Sequence, residues 1–118
     1  MLLKLLKGKI HRATVTAIKV DYPGSVAVDS ELLDAAGIMP YESVLMANVS
    51  SGARAETYVI PAPAGSGTVK VLGAAALKFN PGDIVIFLNF AFYTAEEAAQ
   101  HKPKVVLVDD KNAIERIL

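Results

Sequence analysis

Few residues in this chain are equipped for chemistry, and most of them stand beside glycine or at alternating strand positions. In "YPGSVAVD", residues 22–29, Gly24 and Ser25 put a hydroxyl directly after a residue with no side chain. A serine Oγ can attack the carbonyl that precedes it when the peptide is strained and a donor stabilises the oxyanion. Pro23-Gly24 also reads, more simply, as the centre of a type II turn, with Pro setting φ and Gly supplying φ > 0. In "KIHR", strand alternation puts Lys9 and His11 on one face, opposite Ile10. That pair suits an anion, although an exposed strand face looks the same. In "ARAETYVI" the same period puts Arg54, Glu56 and Tyr58 on one face and Thr57 on the other. Arg54 can clamp a carboxylate bidentately and Tyr58 can give or take a proton. "GAAA" at 73–76 lets a ligand approach Gly73, Ala74 and Ala75 closely enough to bond backbone N–H groups; a tight packing turn is its alternative. Singly, none of these signals decides a function.

The elements that must position them are mostly strands. Apolar and β-branched runs separated by Gly, Pro, Asn and Asp predict strands over 9–20, 25–28, 44–49, 53–60, 68–72, 83–92 and 104–108. "DSELLDAAG" predicts a short helix with Asp29 or Ser30 as N-cap and Gly37 as its stop. "TAEEAAQ" predicts a second, opened by a Thr94, Glu97 capping box. Seven short strands in 118 residues favour one mainly β domain, 1–118, built as a small barrel or sandwich. The tail "KNAIERIL" fits either a strand or a helix.

Composition narrows the function classes. Apolar residues make up 53% of the chain and charged residues 20%, a surplus that points to contact with another copy. Lys plus Arg and Asp plus Glu balance at 12 each, with no basic run to track phosphates, so no nucleic acid is expected. There is no cysteine, hence no disulfide framework, thiolate metal site or cysteine nucleophile. His11 and His101 have no metal-ligand spacing, so no metal is expected, and His101 suits a helix C-terminus without any further role. "MLLKLLKGKI" lacks an uninterrupted apolar core, and no run approaches membrane-helix length; a cytoplasmic protein and no membrane association are the expectation.

Taken together and in order, "GKIHR", "YPGSVAVD", "LLDAAGI", "ARAETY", "GAAA" and "PGDIVI" resemble the pyruvoyl-dependent aspartate 1-decarboxylases. The resemblance runs from about Lys9 to the helix after Thr94. It implies a small double-psi β-barrel with two short helices, usually a homotetramer with sites between subunits. It also implies self-cleavage at Gly24-Ser25 into 1–24 and 25–118, with Ser25 becoming a covalent pyruvoyl group and Thr57 assisting. No pyridoxal phosphate or metal is then needed, because the pyruvoyl carbonyl is the electron sink. By the same resemblance, L-aspartate forms a Schiff base at Ser25 and loses CO2, Tyr58 donates the proton, and β-alanine leaves for pantothenate biosynthesis. Lys9, Arg54, Gly73, Ala74 and Ala75 bind substrate, and His11, Tyr22, Leu72 and Ile86 line the pocket. Whether a maturation partner assists the cut stays open.

One position departs from the pattern. Family members place an asparagine before "GAAA", where this chain has Leu72, and leucine can neither donate nor accept a hydrogen bond. Ala47 also falls where some relatives carry a large aromatic residue. Leu72 motivates a second reading, an unprocessed or non-catalytic barrel acting as a binding or regulatory module. A third is an N-terminal serine hydrolase, in which the freed Ser25 is the nucleophile.

Overall fold

The computed structural model describes residues Met1–Leu118. Its strands are β1 (Leu3–Thr14), β2 (Ala17–Lys19), β3 (Val26–Asp29), β4 (Ser43–Asn48), β5 (Arg54–Ala62), β6 (Val69–Leu72), β7 (Ile84–Tyr93), β8 (Lys104–Val108) and β9 (Ile114–Ile117). Two α-helices, α1 (Ser30–Ala36) and α2 (Ala95–Gln100), and a 3₁₀ helix over Gly73–Lys78 complete the chain. The strands join in the order β2-β6-β3-β5-β4-β7-β1-β8-β9.

That order forces the sheet to curl. β1 is seventh and β2 first, so a flat sheet would set them roughly 29 Å apart at ~4.8 Å per strand. Only Val15 and Thr16 separate them, a link that spans at most about 11 Å. The link is pinned on both sides of the crossing: Val15 N–H donates to Asp83 O (2.9 Å) and Thr16 N–H to Val69 O (2.8 Å). The result is a small, mainly β barrel, as the resemblance implies. A core of 20 buried residues, among them Ile10, Val28, Met46, Val59, Val71 and Phe87, fills it.

The expected strand over 9–20 is corrected. β1 begins at Leu3, and the β-branched run breaks at Val15-Thr16 because the chain there crosses between sheet positions. The other predicted strands are found within two residues of their expected ends, and the tail is a strand, β9, antiparallel to β8. Both helices carry the expected caps. Asp29 accepts from Glu31 N–H, Gly37 closes α1 with φ 70°, and Thr94 and Glu97 form a reciprocal capping box. Asp29 does more than cap: its buried carboxylate also takes the N–H groups of Gly65 (3.1 Å) and Gly67 (2.9 Å), anchoring the β5–β6 loop. "GAAA" is the start of the 3₁₀ helix and not a simple turn.

Two polar centres, one buried and one half-buried, tie further loops to β1. Asn112, at φ 61°, accepts from Thr14 N–H and donates to Thr14 O and Gly67 O, tying the β8–β9 turn to β1. Glu42, before β4, pairs with Lys7 on β1 (2.6 Å) and accepts Met39 N–H (2.7 Å). Burial works against ionisation of Glu42, but the Lys7 and Met39 bonds outweigh it and hold the carboxyl below its ordinary range.

Candidate active site

Ser25 is almost completely buried, at 2% exposure, in a backbone conformation serine rarely adopts. Its φ is 87° and that of Gly24 is 138°. A non-glycine residue there costs on the order of 1–3 kcal/mol, so surrounding contacts must hold it. Pro23-Gly24 does not form the alternative type II turn, because Gly24 lies well beyond the φ of about 80° that such a turn needs.

Two neighbours impose this geometry. Leu72 N–H donates to Ser25 O at 3.0 Å, so the backbone at the end of β6 fixes the serine carbonyl. Gly73, at φ 77°, packs so tightly that a Cβ on it would meet Gly24 Cα at 2.7 Å, Gly24 N at 2.9 Å and Tyr22 O at 2.9 Å. Glycine is needed there both for its φ and for the close approach. From Gly73 the 3₁₀ helix leads away, with Ala74 exposed and Ala75 half-buried; its first N–H groups lack helical acceptors. Tyr22 is exposed, with the Lys19 ammonium 5.7 Å from its ring centre.

β5 supplies the other flank. Val26 pairs with Val59 in parallel register. Thr57 and Tyr58 directly precede Val59 as Gly24 and Ser25 precede Val26, so both pairs enter the parallel ladder from the same end. Tyr58 is 41% exposed and Thr57 half-buried, on opposite faces as alternation predicts. Gly24, Ser25, Leu72 and Gly73 are thus one cluster, with the Tyr22 carbonyl against it and Thr57 and Tyr58 at the same end of the β3–β5 ladder.

Lys9, Arg54 and Ile86 form a second group on the outward face of β1, β4, β5 and β7. Ala47 pairs with Arg54 on one side and Ile86 on the other, and Lys9 pairs with Leu88, which shares the face of Ile86. Arg54 and Tyr58 share a face of β5 but are four residues apart, about 13 Å along a strand. Apolar side chains continue the surface through Leu45, Leu88, Phe90 and Phe92, with Phe92 65% exposed. His11 alternates with Lys9 across the buried Ile10 and opens into a cavity that Lys9 does not line. A bulge between Ile10 and Ala13, with Arg12 at φ 64°, turns it into this cavity of about 450 Å³, lined also by Arg12, Leu107, Asp110 and Glu115. Its Nδ1 is buried without a partner, and burial, then the charges of Lys9 and Arg12, hold its pKa below the ordinary value. The molecule has three cavities, and Ser25, Tyr58 and Arg54 line none of them.

A family model described as aspartate decarboxylase matches residues 1–115. The chain belongs to the aspartate decarboxylase family. It is 51% identical over 117 residues to aspartate 1-decarboxylase of Carboxydothermus hydrogenoformans, covering 99% of this chain and 92% of the relative. The aspartate 1-decarboxylase of Phenylobacterium zucineum is 50% identical, with 98% of each chain covered. That of Listeria monocytogenes serotype 4a is 48% identical over 97% of this chain and 90% of its own. No helix is long and apolar enough to cross a membrane. His101 has a structural role: Nε2 lies 2.7 Å from Leu6 O and its ring packs at a tilt against Tyr93 with centroids 4.3 Å apart, holding the end of α2 against β1.

Proposed function

We propose that this chain is an aspartate 1-decarboxylase, made as a precursor that cuts itself between Gly24 and Ser25 and then converts L-aspartate to β-alanine and CO2 for pantothenate biosynthesis. The observation that carries this reading is the buried, left-handed Ser25 behind Gly24, wedged by Gly73, in a chain about half identical to named aspartate 1-decarboxylases. Strain at Ser25, which glycine's conformational freedom at position 24 permits, raises the energy of the peptide between them, and the attack relieves it. Ser25 Oγ adds to the Gly24 carbonyl carbon, the Gly24–Ser25 C–N bond breaks to leave an ester and a free amine, and Thr57 stabilises the oxyanion. β-Elimination then releases the Gly24 carboxylate, ending chain 1–24, and hydrolysis of the dehydroalanine expels ammonia from chain 25–118.

The residues present fit a group made from Ser25, since the same contacts that strain the bond hold the new chain end in place. An electron sink for the carbanion left by CO2 loss is what a pyruvoyl group at Ser25 supplies. The rest falls to this chain's side chains. Lys9 and Arg54 bind the substrate carboxylates, the Gly73, Ala74 and Ala75 backbone orients them, and Tyr58 delivers a proton to the carbon that lost CO2. His11, Tyr22, Leu72 and Ile86 wall the pocket.

Arg54 and Lys9 reach Ser25 in this reading across a subunit boundary. The outward face that carries them is apolar and open, and a homotetramer in the cytoplasm covers it with a neighbouring copy. Leu72 does not favour the binding-module alternative, because its tie to Ser25 runs through the backbone N–H, which any residue but proline retains. The test is release of β-alanine from aspartate by purified protein, with Ser25→Ala as the uncut control. No β-alanine from cleaved protein would overturn the assignment.

A further inference from the structure

We infer that Lys78 is a positioning residue for substrate recognition, acting through the main chain of Arg54; the inference rests on the proposed role of Arg54 in binding a carboxylate. β3 pairs with β5 only from Val59 onward. The first residues of β5, which carry Arg54, therefore have β4 on one side and no strand on the other. An unpaired strand edge leaves carbonyls without donors and free to shift. Here the 3₁₀ helix packs against β5, and its last residue, Lys78, donates from Nζ to Arg54 O at 2.8 Å.

Lys78 is itself held at its other end. Its carbonyl accepts from Asn48 Nδ2 (3.0 Å), and Asn48 also donates to Asp83 Oδ2 (2.9 Å). The same short helix begins at Gly73, pressed against the main chain of Gly24. Lys78 is thus the joint between the element that cradles Ser25 and the strand end that presents Arg54. A flexible ammonium makes the bond with directional tolerance, and a guanidinium of similar reach can replace it. Losing it frees the Arg54 carbonyl and lets the guanidinium wander, which weakens carboxylate binding while leaving proton transfer at Tyr58 alone.

The test compares wild type with Lys78→Met and Lys78→Arg. Three readouts are taken: extent of self-cleavage, KM and kcat for aspartate, and calorimetric affinity for succinate, a dicarboxylate without the amine. Lys78→Met is expected to raise KM and the succinate Kd about fivefold, the size of one exposed charge-assisted hydrogen bond, with kcat and cleavage within about twofold. Lys78→Arg is expected to restore both affinities. Unchanged affinities in Lys78→Met overturn the inference, as does a matched fall in kcat and cleavage that arginine does not rescue. Succinate binding that depends on Lys78 in a protein making no β-alanine upholds the inference while removing the decarboxylase reading. Failure of wild type to bind succinate overturns it.

Discussion

Replacing Gly73 by alanine tests directly whether its packing against the Gly24 main chain prepares the Gly24–Ser25 bond for cleavage. Two costs arise at once. Alanine at φ 77° is strained by about 1–2 kcal/mol. Its Cβ also meets main-chain atoms of Gly24 and Tyr22 at 2.7 to 2.9 Å, and backbone cannot swing aside as a side chain can. Overpacking of this kind typically costs ~1–3 kcal/mol, so the total is about 2–5 kcal/mol. Gly82 is the matched control, with φ 91° and nothing within 4 Å of an added Cβ, so Gly82→Ala carries the conformational cost alone. Stability is measured by urea unfolding in a Ser25→Ala background, which keeps every chain intact, and cleavage is followed by electrophoresis with Ser25 restored. Gly73→Ala should unfold more easily than Gly82→Ala by about 1–3 kcal/mol and, with the same clash carried into the transition state, cut about 5- to 100-fold slower, since each ~1.4 kcal/mol there is a factor of ten. Equal stability of the two variants, with cleavage of Gly73→Ala at the wild-type rate, would refute the reasoning.

Other expectations follow from single contacts. Lys7→Met should cost about 1 kcal/mol at neutral pH, because the partly buried Glu42 loses its ammonium partner. Glu42 has a lowered folded pKa, so its contribution is present above the unfolded value and lost as pH falls through the folded one; the urea-unfolding gap between wild type and Lys7→Met should close over that window. His11 should titrate by NMR below the ordinary histidine value, and Lys9→Met should recover only part of the shift because burial is its larger cause. A depressed histidine pKa means that stability falls as pH drops below about 6.5, where the unfolded chain takes up the proton first. Leu72→Asn should lower urea stability by about 1–3 kcal/mol, by placing an amide where the side chain is 4% exposed and no partner is in place, while the N–H bond to Ser25 O survives.

Local signals in the sequence were legible where local chemistry decides the structure. The caps at Asp29, Gly37 and Thr94 and the face alternation through Lys9-Ile10-His11 and Arg54 to Tyr58 all reappear in space. The misreadings share a cause in long-range pairing. Val15 and Thr16 have good strand propensity, but their hydrogen bonds go to Asp83 and Val69, which no local pattern announces. Gly24 reads as a turn glycine until Gly73 is seen pressing on it from 49 residues away in sequence. Lys78 gave no sequence signal at all, because its partner is a main-chain carbonyl on another element.

The most direct measurement is an intact mass spectrum of the purified, denatured protein before and after phenylhydrazine. The account predicts two chains, residues 1–24 and 25–118, with only the larger gaining the mass of the carbonyl adduct. A single unreactive chain of 118 residues, or a cleaved larger chain that begins with an intact serine amine, would contradict it.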